Sequence, residues 1–304
     1  MRHDFNVKLT AGLLMASLGM PLMASEQLEL YGKVNVEGAY KSDQVASETV
    51  VQSNASRIGV KGTHDLTPNL AVFYRVEFGV NITSEQTDAD ALSARNQYVG
   101  LAGRWGEWSI GRNDTVLKRA QGRVDLFSDL AGDIARYGFE GENRPSQTMT
   151  YQTPLLGQWQ FGATYVAENA TKQAGQQGYS LAIRYGDARY NKVPYFLAVA
   201  QDVDVDQQDS ITRVTAGGKY HDWTLGVIYQ QARNDDERQS GTVVSLSYRW
   251  EQWQLKSQYS DLELGSDGLS VGIDWHLAKS TKLYGYFTDR SGDHFSGLGL
   301  SHSF

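Results

Sequence analysis

The stretch Leu70-Ala71-Val72-Phe73-Tyr74-Arg75-Val76-Glu77-Phe78-Gly79-Val80 alternates between two sets of side chains. Its even-numbered positions are all apolar or aromatic, whereas its odd-numbered positions include both charged residues. Successive side chains of a β-strand point to opposite faces of a sheet, so one face of this segment suits hydrocarbon and the other tolerates charge. The pattern predicts a strand whose two faces meet different surroundings.

The same alternation recurs along nearly the whole chain. Sixteen strands are predicted, at about 28–40, 56–64, 69–80, 94–103, 105–113, 147–153, 158–167, 178–186, 189–201, 210–220, 223–233, 241–250, 253–261, 267–276, 281–289 and 294–304. Most have about the 9–11 residues that a tilted membrane-spanning strand needs. The pattern predicts an all-β fold, a transmembrane antiparallel β-barrel that is apolar outside and polar inside. An even number of strands places both ends of the barrel chain on one side of the membrane.

The predicted outward faces carry no charge in the clearest strands. They comprise Leu28, Leu30, Val34, Val36, Tyr179, Leu181, Ile183, Tyr185, Val244, Leu246, Tyr248, Trp250, Leu269, Val271, Ile273 and Trp275. A Lys or Arg on the lipid face would cost roughly 2–4 kcal/mol at the bilayer midplane. In 189–201 and 281–289 both faces contain aromatic residues, so the alternation leaves their register open.

Composition agrees with secretion to the outer membrane of a Gram-negative cell. Residues 1–25 combine Arg2 and Lys8 with an apolar stretch and end in small residues, which predicts a cleaved signal peptide before a single barrel domain, 26–304. Cleavage changes the formal net charge from -7 to -8, which argues against nucleic acid as a partner. The mean hydropathy of -0.45 does not oppose a barrel, because half of each strand faces water.

The connections between the predicted strands alternate in length. Long ones are expected at 41–55, 81–93, 114–146, 168–177, 202–209 and 234–240, and short turns at 186–187, 221–222 and 251–252. Tight turns at one end and longer loops at the other are typical of outer-membrane barrels. Tyr and Trp flank the short turns, which predicts an aromatic girdle at the membrane interface.

Several segments resemble a known family. Leu30-Tyr31-Gly32-Lys33 and Ser56-Arg57-Ile58-Gly59-Val60-Lys61-Gly62 are similar to the first two strands of trimeric general-diffusion porins, nearest to the neisserial and related proteobacterial branch. Tyr98-Val99-Gly100-Leu101 followed by Gly111-Arg112-Asn113 resembles the strand pair before their third loop, and Phe304 matches their C-terminal aromatic residue.

The resemblance implies a pore narrowed by the third loop, about 114–146, folded into the lumen. By position, Asp125 and Asp129 correspond to the loop acids of the constriction, and Lys33, Arg57, Arg95 and Arg144 to the facing basic cluster. The implied activity is passive diffusion of small hydrophilic solutes and ions, without a cofactor, by a homotrimer in contact with outer-membrane lipid and lipopolysaccharide. Six acids and five bases lie between positions 114 and 144, so the expected ionic selectivity is weak and its sign stays open.

Three other interpretations make different predictions. A substrate-specific channel, for example for oligosaccharides, would line its path with aromatics, and Phe127, Tyr137 and Phe139 either do this or pack the loop against the wall. A barrel enzyme would need a nucleophile and a base, but no catalytic motif or metal-ligand spacing surrounds the histidines. A secreted β-sandwich would stay dissolved without detergent.

Arg75 and Glu77 are expected to form an ordinary ion pair of the wall.

Overall fold

The computed structural model describes residues 27–43, 45–83, 91–167, 177–205, 208–235, 237–263 and 265–304. The predicted signal peptide, 1–25, lies outside them. The strands are β1 Gln27–Ser42, β2 Ser47–Ser53, β3 Arg57–Thr67, β4 Leu70–Val80, β5 Leu92–Gly103, β6 Gly106–Arg112, β7 Thr148–Gln152, β8 Trp159–Val166, β9 Gly178–Gly186, β10 Tyr195–Val205, β11 Gln208–Tyr220, β12 Trp223–Asn234, β13 Glu237–Trp250, β14 Trp253–Leu262, β15 Asp267–Ala278, β16 Thr281–Arg290 and β17 Asp293–Ser303. A short helix, α1 Val116–Ala120, and a 3₁₀ turn, Ile134–Tyr137, lie between β6 and β7.

These segments form one closed antiparallel sheet. Each strand pairs with its neighbours in sequence, and β17 pairs with β1. β2 and β3 pair with successive halves of β1 and are two parts of one strand, interrupted at 54–56. Counted in this way, the barrel has the sixteen strands that the alternation predicts. Among the described strands, closure leaves no edge strand without a partner in lipid.

The barrel closes at the C-terminal residue. The Gly32 N–H donates to the Phe304 carbonyl over 2.9 Å, and the Phe304 N–H donates to the Gly32 carbonyl over 3.1 Å. A Cβ on Gly32 would contact the Phe304 ring and would come within 2.9 Å of the Arg57 carbonyl oxygen. Only glycine leaves room for that ring against the first strand.

The long loops are fewer than expected. Strand pairing continues through most of three predicted loops, 41–55, 202–209 and 234–240, and two to four residues separate the strands there. Val203 and Val205 continue the alternation of β10 there, although acidic residues alternate with them. Conversely, the predicted turn 186–187 is replaced by an eight-residue connection, 187–194, because Pro194 has no N–H for the ladder. We call the end that carries 81–91 and 167–177 the loop end, and the opposite end, which holds both ends of the described chain, the turn end.

The two faces of the wall differ as predicted. Leu28 and Leu30 are more than 60% exposed on the outer face, whereas Asn35 and Glu37 are buried on the inner face. The structure also resolves the two ambiguous strands. Leu197 and Val199 of β10 face outward and Phe196 inward, while Leu283 and Phe287 of β16 face outward and Tyr284 inward.

Aromatic rings form a belt at the turn end. All seven Trp of the chain lie between Trp105 and Trp275, in or beside β6–β15. Several pack across neighbouring strands, as in the stacked pair Trp253–Trp275 with centroids 5.1 Å apart. No helix in the described part of the chain is long and apolar enough to cross a membrane.

Candidate functional site

The third loop, residues 113–147 (L3), begins with a fixed anchor. Thr115 caps α1 by accepting from the Lys118 N–H over 3.1 Å, and the Leu117 N–H donates to the Ser180 hydroxyl of β9 over 3.0 Å. Val116, Leu117 and Ala120 are buried against inward residues of β9–β12. The apolar face of this short helix therefore holds the start of L3 inside the barrel.

Two further apolar clusters hold the rest of the loop. Val124, Ile134, Tyr137 and Phe139 pack against Ile228, Val243 and Leu262, and Phe127 and Leu130 pack against Tyr284 and Tyr286. Polar contacts reinforce the second cluster, since the Lys256 ammonium donates to the Leu126 carbonyl over 3.1 Å and the Gln258 amide donates to the Gly132 carbonyl over 2.9 Å. L3 thus covers the inner wall from β9 to β17 and faces the lumen surface of β1–β6.

The aromatic residues of L3 are packing residues. Phe127, Tyr137 and Phe139 are at most 2% exposed, so none of them lines a path for solute. The aromatic-lined path of a saccharide-specific channel is not formed by these residues.

The tip of L3 touches the first strand. The Lys33 ammonium lies 3.3 Å from the Asp129 carboxylate, and both side chains remain partly exposed. Asp129 has φ of 71°, a left-handed conformation that Asp and Asn adopt more readily than most residues. Among the pairs of loop acid and wall base that the resemblance implies, Lys33 and Asp129 are the pair in direct contact.

Asp125 is placed differently. Its carboxylate accepts the backbone N–H of Phe127 over 3.0 Å and of Ile134 over 3.4 Å, so it binds its own loop rather than the predicted basic cluster. Burial and the neighbouring charge of Asp133 raise the pKa of Asp125 well above its usual range. Position in the sequence identifies the residue but not the direction of its carboxylate.

Arg57 and Arg95 meet at an acid that the resemblance does not identify. Glu77 of β4 lies 2.6 Å from Arg95 Nε and 3.9 Å from Arg57 Nε, and it accepts the Tyr31 hydroxyl over 2.9 Å. The expected Arg75–Glu77 pair is absent from the described contacts. Arg75 instead lies over the Tyr31 ring, 5.7 Å from its centroid. The alternation predicts that Arg75 and Glu77 share the lumen face, but cross-strand register decides which base Glu77 meets.

Arg144 belongs to a second such group, at the base of L3. It lies 2.9 Å from Asp114 and hydrogen-bonds Asn96, while Lys118 lies 3.6 Å from the same carboxylate. Burial alone would raise the pKa of Asp114, but the charges of Arg144 and Lys118 and the hydrogen bond from Asn96 outweigh it and lower the pKa.

A third group was not predicted. Asp274 of β15 lies 3.1 Å from Lys256 and 2.6 Å from Lys282, beneath the tip of L3. The alternation places Lys256 and Asp274 inside the barrel but leaves the register of the strand with Lys282 open, and nothing in the spacing shows that the three residues meet. Glu77, Asp114 and Asp274 thus each lie between two bases, which leaves each group with one excess positive charge.

The described residues contain no group of three or more His, Cys, Asp or Glu side chains arranged to hold a metal ion. The chemistry that this site offers is electrostatic. Fixed charges of both signs line a narrowing between L3 and the β1–β6 wall, where they act on passing solutes.

Comparisons with known proteins agree with this architecture. A family model described as Gram-negative porin matches residues 9–294. An outer membrane porin protein of Bordetella pertussis is 25% identical over 82% of the chain, which spans 60% of that relative. The major outer membrane protein P.IB of Neisseria meningitidis is 24% identical over 94% of the chain and 96% of the relative. The solved Salmonella typhi OmpF superposes with a TM-score of 0.77 at 16% identity, covering 91% of this chain and 97% of that chain.

Proposed function

Because the chain belongs to the Gram-negative porin family and is an outer-membrane porin, we propose that it passes small hydrophilic solutes and ions by diffusion between L3 and the β1–β6 wall. The observation that carries the proposal is the course of L3, which three buried clusters hold inside the barrel with its tip against Lys33. The family and relatives are porins rather than enzymes, so the barrel-enzyme interpretation is wrong.

We propose that Lys33, Arg57, Arg95, Arg144 and Asp129 act at the constriction. Their charges surround the part of the lumen that L3 leaves uncovered, and the side chains of the four bases are between 16% and 27% exposed. Asp125 supports the loop behind them. The electric field of these charges and the width of the opening together then select solutes by charge and size.

The three groups of one acid and two bases favour a weak preference for anions. Each group keeps one excess positive charge, and all of their bases except the buried Lys256 are partly exposed. Such charges in a wet lumen are screened over a Debye length of about 8 Å at physiological salt. The preference is therefore expected to be small and to grow as salt is lowered.

Planar-bilayer recording of the refolded protein tests this function. We expect stepwise ohmic conductance and a reversal potential in a KCl gradient whose sign shows chloride permeating faster than potassium. Arg57→Gln and Arg95→Gln should reduce that potential, whereas Arg104→Gln, which removes an exposed base from a turn, should not. Electrically silent bilayers would refute the pore, and an unchanged potential in both lumen variants would refute the role of these bases.

We propose that three copies associate through the wall from β16 to β5. The seven Trp of the belt avoid this sector, and its outer face instead has an apolar groove of about 520 Å³ where Gly38 lies among Val51, Leu298 and Leu300. Trp favours the interface between lipid and water, so the sector with the Trp belt suits outer-membrane lipid and lipopolysaccharide, and the sector without Trp suits protein.

Among the early-strand glycines Gly32, Gly38 and Gly100, only Gly38 has open space where a Cβ would lie. Gly32 is covered by the Phe304 ring, and Gly100 lies against Phe73. Native mass spectrometry in detergent is expected to show a trimer for the wild type and monomers for Gly38→Arg. A monomeric wild type would contradict the proposal.

We retain residues 1–25 as a secretory segment that is removed before the barrel 26–304 inserts. N-terminal sequencing of the protein recovered from outer membranes should begin at Glu26. Recovery of an intact N-terminus would contradict it.

A further inference from the structure

The connection 187–194 at the turn end is folded into the barrel. The Asp187 carboxylate accepts the backbone N–H groups of Arg189, Asn191 and Lys192, each over 2.9 Å. Tyr190 has φ of 56°, and its side chain packs with Ala188 against the cluster that holds α1. The phenol of Tyr190 occupies the space that a Cβ on Gly217 would need. These contacts give the segment a single defined shape.

This segment closes one side of a cavity of about 390 Å³. Phe196 forms part of its wall, and Arg184, Arg189, Lys192, Gln160 and Asn191 supply polar groups. Cavities of roughly 300–1,000 Å³ are the size that small-molecule ligands occupy in proteins. The cavity therefore has room for a solute larger than a simple ion.

Arg184 is held in position at the inner side of this cavity. Its Nη2 donates over 2.6 Å to the side-chain oxygens of both Gln152 and Gln160. A guanidinium has five N–H groups in a rigid planar fork, so three remain for another partner. Two neutral amides thus orient the charge without neutralising it.

The positive charge of the cavity is compensated only in part among the described residues. No described carboxylate lies within 4.0 Å of the charged groups of Arg184, Arg189 or Lys192. Asp187 also lines the cavity, and its carboxylate accepts three backbone N–H groups of its own segment. Three bases and one carboxylate therefore line the space, which leaves it with two excess positive charges.

We propose that this cavity binds a phosphate dianion, either inorganic phosphate or the phosphoryl group of a phosphate monoester. The fixed fork of Arg184 suits bidentate bonds to phosphate oxygens, and Arg189 and Lys192 supply the second charge. Gln160 and Asn191 offer amides beside the remaining volume, where the uncharged part of a monoester fits. The site lies in the barrel at the turn end, away from the tip of L3, and differs from the constriction.

Isothermal titration calorimetry of the folded protein in detergent, at pH 7.5 and low salt, tests the site without any ion flow. Inorganic phosphate and glucose 6-phosphate are titrated separately. We expect saturable binding of one ligand per chain by at least one of them, and the tighter of the two identifies whether free phosphate or a monoester is the ligand. Failure of the pore and failure of this site are thus measured independently.

The variants separate a built site from general electrostatic attraction. Arg189→Gln with Lys192→Gln removes two exposed charges whose side chains make no described hydrogen bond, and should weaken binding at least tenfold. Gln160→Glu places a carboxylate beside Arg184 and should abolish binding. Arg104→Gln with Lys279→Gln removes two exposed bases from other turns and should leave binding unchanged. Absence of saturable binding, or equal loss in the cavity and control variants, would overturn the proposal.

Discussion

Asp129 joins L3 to the barrel wall through a single charged contact with Lys33. Asp129→Asn keeps the shape of the side chain and tolerates the same left-handed backbone, but it releases the Lys33 ammonium into the lumen. We expect the chloride-to-potassium permeability ratio to rise roughly twofold, which corresponds to about 0.4 kcal/mol. Reversal potentials in a KCl gradient measure it.

Asp43→Asn is the matched control, because it removes an exposed acid from the turn between β1 and β2. A ratio that falls in Asp129→Asn, or that rises equally in both variants, would contradict a specific role for the loop tip.

The raised pKa of Asp125 predicts that the stability of the folded protein depends on pH. Its pKa is raised by burial and by the charge of Asp133, so the folded protein favours the protonated form. The associated stability is complete below the ordinary Asp pKa of about 3.9 and is lost as the pH rises through the folded value. Asp125→Asn should therefore be more stable than the wild type at pH 7.5, and the difference should shrink toward pH 4. Thermal unfolding in detergent measures this difference.

Asp43 supplies the opposite case. Backbone N–H groups of Ala46 and Val45 lower the pKa of Asp43, so Asp43→Asn should lose a contribution that is present at neutral pH. If instead Asp125→Asn is less stable than the wild type at pH 7.5 and approaches it toward pH 4, the Asp125 carboxylate is stabilised as an anion.

Residue types and wall faces were predictable at this scale, but partners were not. Alternation alone places Arg57, Arg75, Glu77 and Arg95 on the lumen surface. The choice of Arg95 over Arg75 by Glu77 depends on register between strands, and the inward turn of the Asp125 carboxylate depends on the fold of L3. Neither has a signal in a single sequence.

L3 is held by packing, which gives a prediction at the scale of the element. Phe127 is fully buried beside Tyr286 and Lys256, so Phe127→Ala should cost the docked loop about 3–5 kcal/mol. We expect larger open-channel current fluctuations and faster protease cleavage within 126–133. Phe161→Ala, which removes an outward-facing ring from β8, should change neither. Equal behaviour of the two variants would contradict the role of the cluster.

The strands themselves were largely predictable, and the exceptions have two physical causes. In β16 both faces carry aromatic residues because Tyr284 and Tyr286 receive L3 on the inner face while Leu283 and Phe287 face outward. Because the inner face of β16 contacts a loop distant in sequence, it carries aromatic residues as the outer face does, and the alternation between apolar and polar residues is lost. β2 was missed because it lies in a polar segment at the loop end, where neither face of a strand needs to be apolar.

The closure of the barrel yields a prediction for the whole molecule. Gly32→Ala would force the Phe304 ring away from β1 and press against the Arg57 carbonyl, at a cost of about 1–3 kcal/mol from overpacking. We expect a smaller folded fraction after refolding, seen as loss of the faster-migrating band in unheated gels. Gly38→Ala is the control on the same strand face, since nothing lies within 4 Å of its added methyl group.

The pairing of β17 with β1 also concerns biosynthesis. One long side of the first strand has no partner until β17 has been synthesised. Until then the chain presents a row of free peptide groups of the kind that recruits other extended chains into aggregates. A cell that exports this protein therefore has to shield a nearly finished polypeptide throughout its passage across the periplasm, and release it only where its two ends meet in the bilayer.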